Sequence, residues 1–334
     1  MHRPLRTSLI AVTAALVGLP DSAGAQTIEE SLRRLGTENA ILYAHPVVSG
    51  VGAALNSGFY HTARAHSPLG FDFGIRAMGA FVPAADRAFV PILPASLEYR
   101  GITYADPYGS PPGVPLESPT ALGEGTGIVL MPQGGYRQAL LAAGENPDDF
   151  NIQFPEGFDF PAVPMAVAQL GLGVGFGTDA MVRFIPSVQL SQDVGSVSLF
   201  GVGLKHQIDR WFPGPSPVNL SASFGWQRLE VGSYLEARAK HASLIASRDV
   251  AFLTLYAGGT LEDTDVDIEY TVSNAAGIPG VPADGEVIAF TDDSDNSARF
   301  TVGSTFNLLL LRLNVDYSFS DYNVLNVNLL VSYR

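Results

Sequence analysis

Apolar and polar residues alternate at period two through most of this chain. In residues 310–319, LLRLNVDYSF, the apolar Leu311, Leu313, Val315, Tyr317 and Phe319 interleave with Arg312, Asn314, Asp316 and Ser318. A strand points successive side chains to opposite faces, so this reads as a strand with one apolar and one polar side. The same alternation sets Phe71, Phe73 and Ile75 against Asp72, Gly74 and Arg76, and Leu325, Val327, Leu329 and Val331 against Asn326, Asn328 and Ser332. It predicts twelve strands, near 49–60, 69–83, 88–103, 164–177, 179–191, 194–208, 217–231, 233–248, 250–272, 284–306, 308–320 and 322–334. A further pair hidden in the long connection 101–163 would make fourteen. Helical spacing is confined to 28–44, where Ile28, Leu32, Leu35 and Leu42 recur before His45-Pro46, and to 135–144, closed by Gly144.

Two-faced strands build both soluble sandwiches and membrane barrels, and loop lengths separate the two. An even strand number puts both ends of the sheet on one side. The tight connections at 178–179, 247–250 and around Asn307 then share that side, and the long ones, 101–161 and 273–284, fall opposite. The chain is 46% hydrophobic and only 16% charged, against an average near 25%. No stretch after the N-terminus approaches the ~20 apolar residues of a spanning helix. The expected fold is an all-β transmembrane antiparallel β-barrel of about twelve strands with a short N-terminal helix. The first 25 residues read as a secretory signal, with Arg3 and Arg6, an apolar run over 9–19, and Ala23-Gly24-Ala25 before the cleavage point near Ala25. The chain therefore divides into a signal peptide (1–25), a helical segment that is a candidate plug (26–48), and an outer-membrane barrel (49–334).

Charge narrows the function. A net charge of −14 with only two lysines, Lys205 and Lys240, lacks the basic patch that nucleic acid demands. With no cysteine, thiolate chemistry is excluded. No cofactor or resident metal is expected, and the expected partners are outer-membrane lipid and hydrophobic small molecules. Alternation assigns Asp72, Arg76, Arg183, Lys205, Glu236, Arg238, Lys240, Arg299, Arg312 and Asp316 to the lumen. They form either a positively biased path for anions or a lattice of salt bridges filling a narrow barrel. Gly171, Gly173, Gly175 and Gly177 lie on one inward face, where a plug could approach the backbone closely or the wall could curve. Asp265, Asp267 and Glu269, with Asp292, Asp293 and Asp295, have oxygen ligands for a divalent cation, or are simply a solvated acidic extension. His241 and Ser243 share one strand face, the weakest of the candidate chemistries, a base beside a hydroxyl for lipid hydrolysis.

Four stretches together resemble a family of uncharacterised bacterial outer-membrane barrels, a domain of unknown function: GAALNSGFYHTARAHSPLGFDF at 52–73, QLGLGVGFGTDAMVRFIP at 169–186, KHQIDRWFPGPSPVNLSASFGW at 205–226 and SRDVAFLTLYAGGTLE at 247–262. More distantly, the order of N-terminal segment then barrel is similar to the long-chain fatty-acid transporter class. That resemblance implies passage of hydrophobic molecules through a plugged barrel. The expected role is passive transport of hydrophobic or small polar solutes through a partly plugged lumen. The alternative is a closed, structural or adhesive barrel that displays its long loops.

Overall fold

A computed structural model describes residues 36–191, 195–214, 216–272 and 282–333. The signal-like segment and the first part of the helix expected over 28–44 lie outside these residues. Ten strands form one closed barrel: β1 Phe71–Phe81, β2 Ala162–Gly175, β3 Thr178–Ser191, β4 Gly195–Gln207, β5 Asn219–Val231, β6 Leu235–Val250, β7 Leu253–Thr271, β8 Ala298–Leu308, β9 Leu311–Phe319 and β10 Val324–Tyr333. Each pairs antiparallel with its neighbour in sequence, and β10 closes onto β1 from Tyr333 opposite Phe71 to Val324 opposite Ala80. Closure leaves the ten-strand ring without an open edge. An eleventh strand, Val287–Asp293, pairs with the upper part of β7 at Asp265–Thr271, while β8 takes β7's lower part, so it extends the line of β8 outside the ring.

The count of twelve is therefore corrected to ten. Residues 49–60 are not a strand: their alternation is one of small residues, and the first of them complete α1, Thr37–Leu55. That helix runs through Pro46, which removes one backbone donor, instead of ending there. Residues 88–103 break into Ala88–Phe89 and the hairpin Ser96–Tyr99 with Ile102–Ala105. Pro91 and Pro94 remove ladder donors from what would otherwise be one strand. The expected helix over 135–144 is α2, Gly134–Ala142, and Gly144 follows at φ +78°.

The outward face is apolar in a band around the barrel, from Phe71 and Phe73 on β1 through Phe200, Phe224, Leu255 and Phe300 to Leu329 on β10, all at least one-third exposed. Soluble proteins seldom leave so continuous an apolar surface. The band has a sharp upper limit. On β7 the outward row Leu253, Leu255, Ala257, Gly259, Leu261 gives way to Asp263, Asp265, Asp267 and Glu269. In paired register the limit runs through Trp226, Lys240 and Asp263 on three adjacent strands. Nine residues at ~3.3 Å each, tilted about 40°, span roughly 23 Å, the height of a hydrocarbon layer.

The short turns after β2, β6 and β8 lie at one end, with Tyr333. Residues 82–161 lie at the other, where they form a cap. Its core gathers Tyr99, Tyr104 and Tyr108 around the buried Tyr136, with ring centroids 5.6, 6.0 and 5.7 Å away. Tyr322, at the same end, is fully buried beside α1 and not at an interface as its position near the aromatic Tyr317 and Phe319 suggests.

Candidate functional site

The barrel is not empty. α1 descends inside it from the capped end, packed against β1, β2, β6, β7 and Val287–Asp293. A helix fits between strands only if its side chains are small, and residues 49–54 read SGVGAA. A Cβ added at Gly50 would lie 2.5 Å from Val163 Cγ2, and one at Gly52 2.7 Å from Ser294 Cβ. After Leu55 the chain continues extended down the lumen to the lower rim, where Leu69 N–H donates to the Gly173 carbonyl at 2.9 Å. β1 begins at Phe71, so the plug extends from α1 to Gly70.

Three tiers of contacts hold this plug. At the top, Asn39 exchanges two hydrogen bonds with the Ile92 backbone, and Tyr43 Oη donates to the Glu156 carbonyl, both in the cap. His45 bridges Asp292 at 2.8 Å and Asp295 at 3.0 Å, and these carboxylates raise its pKa from 6.5 to about 9. A histidine whose pKa rises on folding stabilises in full below about 6.5, and that contribution is lost as pH climbs through about 9. Protease sensitivity of the α1 segment should therefore rise between about pH 8 and 10, and His45→Gln should abolish the step.

The middle tier is cationic. Arg183, 1% exposed, sends Nη1 to the Leu55 carbonyl at 3.0 Å, Nη2 to the Ser57 carbonyl at 2.7 Å and Nε to Gln169 Oε1 at 2.8 Å. Its guanidinium lies 3.4 Å from the centroid of Phe59. The carbonyls at the C-terminus of α1 carry the negative end of the helix dipole, which suits a cation that makes no contact with a carboxylate among its described hydrogen bonds. Arg299 donates to the Ala53 carbonyl at 2.9 Å and forks onto Glu262. Gln227 Nε2 also reaches the Leu55 carbonyl, and Asn56 donates to Thr264 at 2.9 Å.

At the bottom, Lys205 donates to the carbonyls of Thr62 and Arg64 and pairs with Asp179 at 3.0 Å. Asp179 also takes the backbone N–H and ring of His66. The wall opens for the plug's rings at glycines: a Cβ on Gly225 would meet Phe59 Cε1 at 2.8 Å, and one on Gly258 the Tyr60 hydroxyl at 2.7 Å. Because that Cβ would press on the His241 ring as well as on Phe59, Gly225→Val should displace both rings and lower stability by about 1–3 kcal/mol in denaturant titration, the usual cost of overpacking.

Of the ten residues assigned to the lumen by alternation, Asp72, Arg76, Arg183, Lys205, Arg299, Arg312 and Asp316 are buried on the inner side. Glu236, Arg238 and Lys240 are corrected to the outer face, because β6 turns Ala237, Ala239, His241 and Ser243 inward. There Arg238 pairs with Asp265 and Asp267, Lys240 with Asp263, and Arg228 with Glu236, an ion-pair ladder above the apolar band. Of the acidic residues considered for a cation, Asp265 and Asp267 thus face Arg238, and Asp292 and Asp295 face His45. Of the glycine row, Gly173 is pressed by Ser67 and His66, Gly171 faces Asp72, Gly177 faces Arg210, and Gly175 faces open space. Three inward cations, Arg76, Lys205 and Arg299, are matched by Asp72, Asp179 and Glu262, while Arg183 and Arg312 make their described hydrogen bonds to neutral groups. His241 and Ser243 both point into the plugged lumen, away from the outer apolar band. Ser243 shares its hydroxyl with Thr260 at 2.8 Å, and the His241 ring lies 4.1 Å from Phe59.

Alternation puts Gln169, Gln227, Asn314 and Asn326 on the polar faces of their strands but says nothing of what they touch; the small-residue run 49–54 before Phe59-Tyr60 was the available signal for the plug.

Solved structures with low similarity include OmpF of Salmonella typhi in complex with daunomycin, at 12% identity over 62% of this chain and 56% of that one, a little over half its length, with TM-score 0.22. A loop-deletion form of Vibrio cholerae OmpT, an outer membrane protein, matches at 13% identity over 78% and 98%, TM-score 0.25. Pseudomonas putida OprB matches at 10% over 81% and 94%, TM-score 0.21. No curated protein matches the chain. A family of unknown function, DUF6588, matches residues 3–333, nearly the whole chain, and this protein belongs to it.

Proposed function

We propose that this protein is an outer-membrane barrel whose lumen is a gated conduit for small solutes, closed by its own segment 37–70. The apolar band, its charged upper limit and the ring of strands without an edge fit a hydrocarbon layer. One observation carries the gating: the wall grips the plug chiefly through hydrogen bonds to main-chain carbonyls, at Ala53, Leu55, Ser57, Thr62 and Arg64. Water can replace each of these bonds, so freeing 56–68 exposes little apolar surface beyond Phe59 and Tyr60, whereas α1 packs Tyr43, Val48, Val51 and Leu55 into the core it shares with the wall.

The test uses a lock. The chain has no cysteine, and the side chains of Ser57 and Asn326 touch at 3.0 Å, one on the plug and one on β10. A Ser57→Cys, Asn326→Cys protein in a planar bilayer should fall silent when oxidised and regain wild-type conductance steps when reduced. Steps that ignore the lock would place the path elsewhere. A second reading, a closed barrel that displays its cap, draws on the tyrosine core that gives residues 82–161 a fold of their own. Silence from a folded barrel lacking residues 37–68 would favour it.

A further inference from the structure

The two sides of the lumen treat the plug differently. Along β1, β7, β8, β9 and β10, the inward Asp72, Arg76, Glu262, Arg299, Asn314, Asp316 and Asn326 each have at least one hydrogen-bond partner, and only individual atoms of Arg76, Arg299, Arg312 and Asn328 lack one among the described residues. On β5 and β6 the inward Ser221, Ser223 and His241 have none among the described residues, although they are only 1, 4 and 2% exposed. Gln227 Oε1 is likewise unpaired. Ser223 stands opposite Ser243 and Gly225 opposite His241, so these groups form one continuous strip.

The plug faces this strip with the phenyl ring of Phe59, which offers no donor or acceptor to the imidazole 4.1 Å away. Buried polar groups are almost always partnered, and an unpartnered one marks a place where a different occupant would bind better. The inner side chains of the strip, Ser221, Ser223, Gln227, His241 and Ser243, are hydroxyls, an amide and an imidazole. All can exchange donor and acceptor roles, and none is a carboxylate, ammonium or guanidinium. Of the nearby cations, Lys205 pairs with Asp179 and Arg183 with Gln169 within the wall itself, independently of the plug. We propose that this strip on β5 and β6 is the solute-binding face of the conduit, that its solute is a small neutral molecule rich in hydroxyl groups, and that Phe59 occupies its place in the closed state.

This inference rests on the gated-conduit reading, and the test separates the two. Full-length Phe59→Ala protein, verified as folded by heat-modifiable gel mobility, is placed in liposomes and in planar bilayers. Swelling should be faster with glucose than with gluconate or glucosamine of similar size by about fivefold, the worth of one hydrogen bond. His241→Leu and Ser223→Ala, each made singly on that background so that a folding failure in one leaves the other, should erase the preference while ion conductance persists. A conducting protein with no preference, or with a preference untouched by both substitutions, overturns the strip and leaves the gated conduit standing. If Phe59→Ala neither conducts nor swells, both fall.

Discussion

Replacing Arg183 by alanine should release the plug. The side chain bonds two plug carbonyls and stacks on Phe59, and its described hydrogen bonds go only to neutral acceptors. Without it the Leu55 carbonyl keeps Gln227 as donor, but Ser57 O loses a charge-assisted bond at 2.7 Å. Bonds to charged groups contribute about 1.5–3 kcal/mol each and an unpaired buried acceptor costs about 1–3. Water entering from the lower rim offsets part, so a net loss of about 3 kcal/mol, or roughly 100-fold in the closed-to-open ratio, is expected. Open probability in single-channel records and protease cleavage within 56–68 should rise together. Arg183→Lys should recover only part, since one ammonium cannot reach three acceptors held by a planar fork. An unchanged closed fraction in Arg183→Ala would mean that the cap alone holds the plug.

The fold was legible in the sequence wherever alternation carried large side chains. Strands such as β1, β5, β9 and β10 carry an outward row of large apolar side chains, and β9, the LLRLNVDYSF strand, pairs Leu313 opposite Leu329 and Asn314 opposite Asn328 as its two faces require. Where residues are small, period two and period 3.6 are indistinguishable. SGVGAALNSG alternates as a weak strand, yet glycine and alanine are also what a helix needs to slide past a barrel wall. Prolines marked 88–103 as a poor strand, but only the folded cap shows that Ile92 bonds Asn39 instead of a neighbouring strand.

The site was half legible for a different reason. Parity assigns a side to each residue only once the phase of its strand is known, and β6 offered two phases: LEARAKHASLIAS has charge at 236, 238 and 240 but aliphatic side chains at 235, 244 and 245. Reading charge as inward sent Glu236, Arg238 and Lys240 to the lumen. The strand in fact rises beyond the apolar band, where outward charge meets water and the acidic row of β7. Outward polarity is a function of height as well as of face, and height is set by pairing between strands distant in sequence. The plug contacts were less legible still, because most end on carbonyls, which every residue has.

Glu262 and Arg299 should separate barrel stability from plug retention. They form a two-pronged pair, 2.7 and 2.6 Å, on adjacent β7 and β8, with both side chains almost fully buried. Glu262→Ala strands the guanidinium in the lumen, and breaking such a pair typically costs about 3–5 kcal/mol, so urea unfolding should shift by that amount. Removing both charges, Glu262→Leu with Arg299→Met, deletes the stranded cation too, and replacing a buried pair by apolar groups of similar volume is often neutral or better. The double variant should therefore unfold close to wild type. It nonetheless lacks the donor that reaches Ala53 O at 2.9 Å, so its plug should open more often by about one charge-assisted bond, ~1.5–3 kcal/mol. A barrel that is stable yet leaky would show that the wall is held by its strands and the plug by its cations. A double variant as unstable as Glu262→Ala would show instead that the pair is itself part of what keeps β7 against β8.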